Sequence, residues 1–339
     1  MSALLLGLGG TISMTQRADG AAVPTLDAAR LAEMVEGVGT TGPGRGGVGT
    51  AKDIALVGGS EVTAAHLHDL GAAIADLGAG HDGVVVTCGT DAIEEVAAFL
   101  TWAGPLGTSV AVTGSMLPGG RADSDAAANL ADAVVAACAL PADHDPVVVA
   151  HGEVLLGVEA IKASGLYRQA FAAPGRGPIG HVTPEGLRRD RLPTPASGRM
   201  GLPPRPVWLP PLLTAGLDDD GHLLRMAGAS APMIVVAANG AGNVPTGVRD
   251  AIAELIADDV VVVVASRAPD AAVAPVYGYP GGGVELVATG AVLVNGLSPY
   301  RARIVAALAH AHGCRGADLV EAITAAATAS PTSPCTSPH

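Results

Sequence analysis

Residues 83–103, "GVVVTCGTDAIEEVAAFLTWA", decide the fold class. An apolar run from Gly83 to Thr87 is followed by a Cys-Gly-Thr-Asp turn, and a helical pattern then runs to Ala103. The run is continuously apolar rather than alternating, which marks a strand buried on both faces, as in a parallel sheet. The same succession recurs along the chain. Further strands are expected at "ALLLGL" (3–8), "SVAVTG" (109–114), "PVVVA" (146–150), "MIVVAA" (233–238) and "VVVVVAS" (260–266). Between them "TAAHLHDLGAAIADL", "DSDAAANLADAVVAACA" and "PTGVRDAIAELIADD" read as helices, with Asp and Ser as N-caps and Pro245 in a first helical turn. Strands alternating with helices make an α/β protein.

Residues 192–215, "LPTPASGRMGLPPRPVWLPPLLTA", are dense in proline and lack periodicity, so they read as a linker or a long extended crossing. The expected organisation is a larger N-terminal parallel-sheet α/β domain over 1–191, the linker over 192–215, and a smaller C-terminal α/β domain over 216–328. The tail 329–339, "SPTSPCTSPH" with its preceding residue, is expected to be disordered. A chain of 339 residues is long enough for two such cores. Apolar residues make up 49% of it but aromatics only 2%, so Ala, Val, Leu and Ile must fill the interior by close packing.

The formal net charge of −13 argues against a nucleic-acid partner, because phosphate contacts need clustered Lys and Arg. The basic run "RRDR" (188–191) reads as a solvated loop. Cys88, Cys138, Cys314 and Cys335 are scattered without paired spacing, which suits a reducing compartment. The start of the chain lacks a basic n-region, and no stretch approaches the roughly 18 apolar residues of a membrane span. The expectation is a cytoplasmic protein without a membrane partner. His66 and His68 are two apart on a helix and make a poor metal pair. "DDDG" (218–221) lacks the rest of a calcium loop and reads as a polar turn, so no metal is expected.

In an open parallel sheet the ligand lies outside the carboxyl ends of the strands. Read there, the sequence offers Gly9-Gly10-Thr11, Gly58-Gly59-Ser60-Glu61, Thr87-Cys88-Gly89-Thr90-Asp91, Thr113-Gly114-Ser115-Met116 and Ser266-Arg267. Hydroxyls dominate. A dinucleotide loop at "GLGGTI" is opposed by Ile12 at the third glycine position and by the lack of an acid at a convincing ribose position about 20 residues on. No Gly-Lys-Ser/Thr occurs either, so no cofactor is expected. A threonine nucleophile fits better, given a base to take its proton. Lys52 and Lys162 are the only lysines, and Lys162 sits in the apolar "GVEAIKASG". Burial lowers an ammonium pKa, so a relay is expected in which Asp91 orients Lys162 and Lys162 deprotonates Thr90.

These residues carry a resemblance. "GLGGTIS" (7–13), "VVVTCGTDAIEE" (84–95), "VTGSMLPGGRADSDAAANL" (112–130), "IKASG" (161–165) with "FAAPGRGPIG" (171–180), "ANGAGNVP" (238–245) and "GLSPYRAR" (296–303) resemble, in order, the type I/II L-asparaginase family. The resemblance spans the chain to about residue 313. It implies a cofactor-free hydrolase that releases ammonia from the side-chain amide of asparagine, sometimes glutamine, on a larger and a smaller α/β domain. It also implies a homo-oligomer, dimer or tetramer, with active sites completed across a subunit interface. Thr11 is similar to the family's first nucleophilic threonine, Thr90 and Asp91 to its Gly-Thr-Asp pair, and Lys162 to its lysine. Ser60, Glu61 and Asp91 fall where the family grips the substrate's α-carboxylate and α-amino groups. Asn243 resembles a residue that reaches the neighbouring subunit's site. Either Thr11 or Thr90 forms the acyl-enzyme on this reading, with Thr11 favoured.

The sequence also departs from the family pattern. Cys88 stands where the family has a histidine before Gly-Thr-Asp, and is expected to pack behind the loop. The segment "MTQRADGAAVPTLDAARL" (14–31) lacks the tyrosine usual in the family's mobile loop and offers only Thr15 and Thr25 as hydroxyls. The family's intersubunit acid aligns near Gly283; Glu285 takes the role through a shifted loop, or the acid is absent. Ile161 and Ala163 replace polar neighbours of the lysine, which dries the site but removes hydrogen bonds that position Lys162. A catalytically weak amino-acid-binding paralogue, or an amidase acting on glutamine or another small amide, are the alternatives these departures raise.

Overall fold

The computed structural model describes residues 1–37 and 46–328. The expectation of a disordered tail, and Cys335 with it, lies outside the described residues. The chain folds as two compact units, one of Met1–Pro195 with Gly201–Pro206, the other of Ala196–Met200 with the chain from Val207 onward.

The first unit contains β1 (Ser2–Gly9), the short hairpin β2 (Met14–Gln16) and β3 (Ala22–Pro24), α1 (Ala28–Gly37) and β4 (Gly47–Val57). It continues through α2 (Ala64–Leu77), β5 (Gly83–Thr87), α3 (Ile93–Trp102), β6 (Val110–Thr113), α4 (Ala126–Ala139), β7 (Val147–Ala150) and β8 (Glu153–Leu156). The two-stranded pair β9 (Ile161–Lys162) and β10 (Phe171–Ala172) precedes a last hairpin, β11 (Gly180–Thr183) and β12 (Gly186–Arg189). Eight strands form one sheet in the order β12-β11-β8-β7-β6-β5-β1-β4.

β4, β1, β5, β6 and β7 run parallel, as their continuous apolarity predicts. All of β5 is buried, and only the first residue of β1 is exposed. The sheet is nonetheless mixed, because β8, β11 and β12 are antiparallel to their neighbours. The physical reason is local. Only His151 and Gly152 separate β7 from β8, both at positive φ (52° and 76°), and so short a connection can only make a hairpin.

β4 follows β1 in the chain and pairs on one side of it; the chain then crosses to the other side, where β5 begins the walk to β6 and β7. The strand order therefore reverses between β1 and β5, which is where a doubly wound sheet opens a crevice at its carboxyl edge. One face is packed with α1 and α4, where Leu31, Val35, Leu130, Ala133 and Val134 meet Leu5, Val85, Ala111 and Val147. Small residues let the layers close. A Cβ on Gly83 would lie 2.4 Å from the Ala137 carbonyl oxygen. Phe99 and Trp102 of α3 are fully buried, so two of the few aromatics lie in the interior.

The second unit contains β13 (Leu212–Thr214), α5 (His222–Gly228), β14 (Met233–Ala238), α6 (Thr246–Ala257), β15 (Val261–Ser266), α7 (Gly283–Thr289), β16 (Val292–Leu293), α8 (Pro299–Ala311) and α9 (Gly316–Thr328). Its sheet is wholly parallel, in the order β13-β14-β15-β16. β13 lies inside the proline-dense stretch. Prolines rule out a central strand, but β13 is an edge strand that begins just after Pro211. Pro245 is the N-cap of α6 rather than part of its first turn. Among the described residues no helix is long and apolar enough to cross a membrane.

Candidate active site

Four loops at the carboxyl edge of the first sheet carry a hydroxyl residue immediately after a glycine: Gly114 precedes Ser115 after β6, and the other three meet one another. Gly10 precedes Thr11 after β1, Gly59 precedes Ser60 after β4, and Gly89 precedes Thr90 after β5. The glycines pack on one another. A Cβ on Gly10 would lie 2.1 Å from the Gly89 nitrogen, and one on Gly89 would lie 2.3 Å from the Gly59 Cα. No side chain fits at either point. Gly10 has φ 86°, which only glycine adopts freely. Thr11, Ser60 and Thr90 are thus gathered at the switch point by backbone-to-backbone contact. The opening Gly-Thr loop is a tight turn: Thr11–Ser13 forms one turn of 3₁₀ helix, and Gly10 donates to the Val57 carbonyl at 2.7 Å.

The most defined chemistry lies around Lys162 on β9. Its Nζ donates to Thr90 Oγ1 at 2.7 Å and to Asp91 Oδ1 at 2.6 Å. Thr90 is buried, the Lys162 side chain is 16% exposed, and the Asp91 side chain is 69% exposed. The trio runs from a hydroxyl in the protein interior to a carboxylate facing solvent. An amine held between a hydroxyl and a carboxylate is arranged for proton transfer with the hydroxyl, the carboxylate fixing its direction. The expected Thr90–Lys162–Asp91 grouping is thus present as a set of direct bonds. The Lys162 amide is held as well, donating to Glu94 Oε1 at 2.6 Å from the first turn of α3.

Ser60 and Glu61 are exposed on the 3₁₀ turn Gly59–Glu61. Two acids, Glu61 and Asp91, therefore open toward solvent beside the hydroxyls, a charge pattern suited to a small ligand bearing an ammonium group. Behind the hydroxyls lies the loop after β6. A Cβ on Gly114 would lie 3.3 Å from the Thr90 methyl and 2.6 Å from the Cys88 carbonyl oxygen. That loop is held from α4. Asp125 accepts the Met116 and Leu117 amides, each at 3.0 Å. The Asn129 side-chain amide donates to the Gly114 carbonyl and to Asp125, while its oxygen accepts the His151 amide at 2.9 Å. Sequence reasoning missed Glu94, Asp125 and Asn129; the acids and amide inside "GTDAIEE" and "SDAAANL" were the available signal.

Cys88 is fully buried, and burial pushes its thiol well above the ordinary value. It packs behind the loop, as the sequence led us to expect. The hairpin β2–β3 stands next to Thr11 in the chain. Thr15 Oγ1 and Thr25 Oγ1 bond each other at 2.7 Å, and Gly119 and Gly120 donate to the Thr11 and Met14 carbonyls.

Asn243 and Glu285 lie in the second unit. Asn243 Oδ1 accepts the Gly283 amide at 3.3 Å, so Asn243 is bonded to the first residue of α7, in whose first turn Glu285 lies. Asn243 also lines a cavity of about 310 Å³ with Asn239, Gly240 and Tyr279. Among the described residues no three His, Cys, Asp or Glu side chains converge as a metal-binding set.

Comparison with known proteins agrees with this architecture. Residues 2–193 match the family profile "Asparaginase, N-terminal", and residues 211–323 match "Glutaminase/Asparaginase C-terminal domain". A Deinococcus radiodurans protein named "Probable L-asparaginase" is 36% identical over 260 residues, covering 72% of this chain and 76% of that one. A "Glutaminase-asparaginase" of Pseudomonas aeruginosa is 31% identical over 235 residues, covering 64% of each. The fold matches "The thermostable L-asparaginase from Thermococcus kodakarensis" with a TM-score of 0.82 at 21% identity, covering 96% of this chain and 99% of that one. A two-unit α/β chain with hydroxyls gathered at the switch point, and with both family profiles matched in order, belongs to the asparaginase family of amidohydrolases.

Proposed function

We propose that this chain hydrolyses the side-chain amide of L-asparagine to L-aspartate and ammonia. One observation carries the reading: Lys162 Nζ lies 2.7 Å from the buried Thr90 hydroxyl and 2.6 Å from Asp91. In the first half-reaction Thr11 Oγ1 adds to the amide carbon and the Thr90–Lys162–Asp91 relay takes up its proton. The C–N bond then breaks, the proton passes to the departing nitrogen, and ammonia leaves a Thr11 ester. In the second half, water loses a proton to the same relay and adds to the ester. Cleavage of the Thr11 Oγ1–C bond then releases aspartate and restores the hydroxyl.

Ser60 and the backbone beside it receive the α-carboxylate, and Glu61 and Asp91 receive the α-ammonium. Asn243 and Glu285 act on the site of a neighbouring copy, so the working form is a homo-oligomer, dimer or tetramer. The substrate is small and soluble, and neither nucleic acid nor a membrane takes part. The free thiols of Cys88, Cys138 and Cys314 fit a cytoplasmic setting.

A second reading, glutamine or another small amide, is favoured by the hairpin next to Thr11. It has no tyrosine, and its two hydroxyls are bonded to each other, which uses one of their two protons. Ammonia release from L-asparagine and L-glutamine by wild type and Thr11→Ala tests both readings. Turnover of asparagine that collapses in the variant supports the first, and turnover of glutamine alone supports the second. Asparagine binding in calorimetry without turnover of either amide would mark the chain as an amino-acid-binding paralogue.

A further inference from the structure

Lys162 is held at two points, and only one belongs to the relay. Asp91 and Thr90 hold its Nζ, while Glu94 Oε1 accepts its backbone amide at 2.6 Å, across 68 positions of sequence. Asp91 lies in the turn that leads into α3, and Glu94 lies in the first turn of α3, three residues on. The strand that carries Lys162 needs such an anchor. β9 is two residues long and pairs only with the two-residue β10, outside the eight-stranded sheet. Two residue pairs are too little to fix a strand's position by themselves. The lysine's chain neighbours, Ile161 and Ala163, have no side-chain group to hydrogen-bond.

We propose that Glu94 is a positioning residue for the amide hydrolysis. Its carboxylate clamps the Lys162 backbone to the entry of α3, and so sets the reach of Nζ to Thr90 and Asp91. Because Asp91 and Glu94 sit on one short stretch of chain at the entry of α3, the clamp and the relay share one support. A small shift of β9 away from α3 would lengthen both Nζ bonds together, and a misplacement of about 1 Å can cost roughly 100-fold in rate. The inference rests on the relay proposed above for its rate effect, but not for its geometry.

The test uses Glu94→Ala, which removes the clamp, and Glu94→Gln, which keeps an acceptor oxygen for the Lys162 amide. Two readouts are made on the full-length chain. In steady-state kinetics with asparagine, Glu94→Ala is expected to lower kcat by about 10- to 100-fold with KM within about threefold, because the clamp touches no substrate. Glu94→Gln is expected to keep most of the wild-type kcat. The second readout needs no activity. Lys52 and Lys162 are the only lysines, so amine acylation followed by peptide mass spectrometry reports Lys162 against Lys52 as an internal reference. Lys162, paired in the wild type and 16% exposed, should label several-fold faster in Glu94→Ala and at the wild-type rate in Glu94→Gln. Unchanged labelling of Lys162 in Glu94→Ala overturns the clamp, as does a loss confined to KM. A Gln variant as impaired as the Ala variant in both readouts also overturns it. If the wild type releases no ammonia, the proposed function fails while the labelling still decides the clamp.

Discussion

A Cβ on Gly10 would lie 2.1 Å from the backbone nitrogen of Gly89. The loop bearing Thr11 and the loop bearing Thr90 therefore meet at a distance that no side chain permits. Gly10→Ala must push the loops apart and also strain a backbone at φ 86°. We expect a stability loss of about 1–3 kcal/mol by urea unfolding and a fall in kcat/KM of at least about 100-fold. Gly107→Ala separates the two effects. Gly107 also has positive φ (70°), but nothing lies within 4 Å of its added Cβ. It should lose stability and keep activity. Comparable activity in the two variants would refute the idea that glycine packing assembles the site.

The direct bond from Lys162 Nζ to Thr90 Oγ1 makes the two a single unit. Thr90→Val and Lys162→Met should each lower kcat by about 10²- to 10⁴-fold. The double variant should be little worse than the weaker single, because a relay already broken cannot be broken again. Multiplying effects in the double-mutant cycle would show that the two act separately.

The strand–helix alternation was legible because buried parallel strands leave continuous apolar runs. Gly83–Thr87 and Met233–Ala238 coincide with observed strands residue for residue. β4 was not, because it lies at the sheet edge, half-exposed, and neither alternates nor runs apolar. The antiparallel β8 was missed because the turn that imposes it, His151–Gly152, puts a non-glycine residue at positive φ, with no sequence signal to announce it. In the site, Thr90, Asp91 and Lys162 could be named by scarcity and side-chain chemistry. Glu94, Asp125 and Asn129 were visible only as acids and an amide within "GTDAIEE" and "SDAAANL", because the backbone groups they act on leave no mark in a sequence.

Asn129 illustrates what such residues do. It is buried, and its side chain serves the Gly114 carbonyl, Asp125 and the His151 amide. Asn129→Leu takes the side-chain partner from the Gly114 carbonyl and the His151 amide, while Asp125 keeps the Met116 and Leu117 amides, at a cost of about 1–3 kcal/mol for each group left unsatisfied. Gly114 abuts Thr90, so activity should also fall. Asn129→Asp keeps one acceptor for His151 but sets a second carboxylate against Asp125. Both variants should therefore unfold at lower urea than wild type. A wild-type midpoint in Asn129→Leu would remove the network from the account of the site.

Cys88 adds an alkaline limit to stability. It is fully buried, and burial holds its thiol above the ordinary value of 9.0. A group whose folded pKa is raised contributes fully below its unfolded pKa, and that contribution fades as pH rises toward the folded pKa. Above about pH 9 the unfolded chain sheds this proton while the native chain keeps it, so stability must fall as pH rises. One thiol supplies a slope of up to about 1.4 kcal/mol per pH unit. Cys138, pushed up to about 11 by burial, adds in the same direction between its ordinary value and that point. Urea unfolding under reducing conditions, from about pH 8 to 10.5, should show this decline in the wild type. Cys88→Ala is expected to flatten it, whatever constant offset the lost sulfur brings. Native-state alkylation gives the same answer by another route, since the thiolate is the nucleophile and a raised pKa withholds it. Cys88 should resist iodoacetamide until the chain unfolds. Equal alkaline slopes in wild type and variant, or rapid native alkylation of Cys88, would mean that the residue is not the sealed back wall of the Thr90 loop.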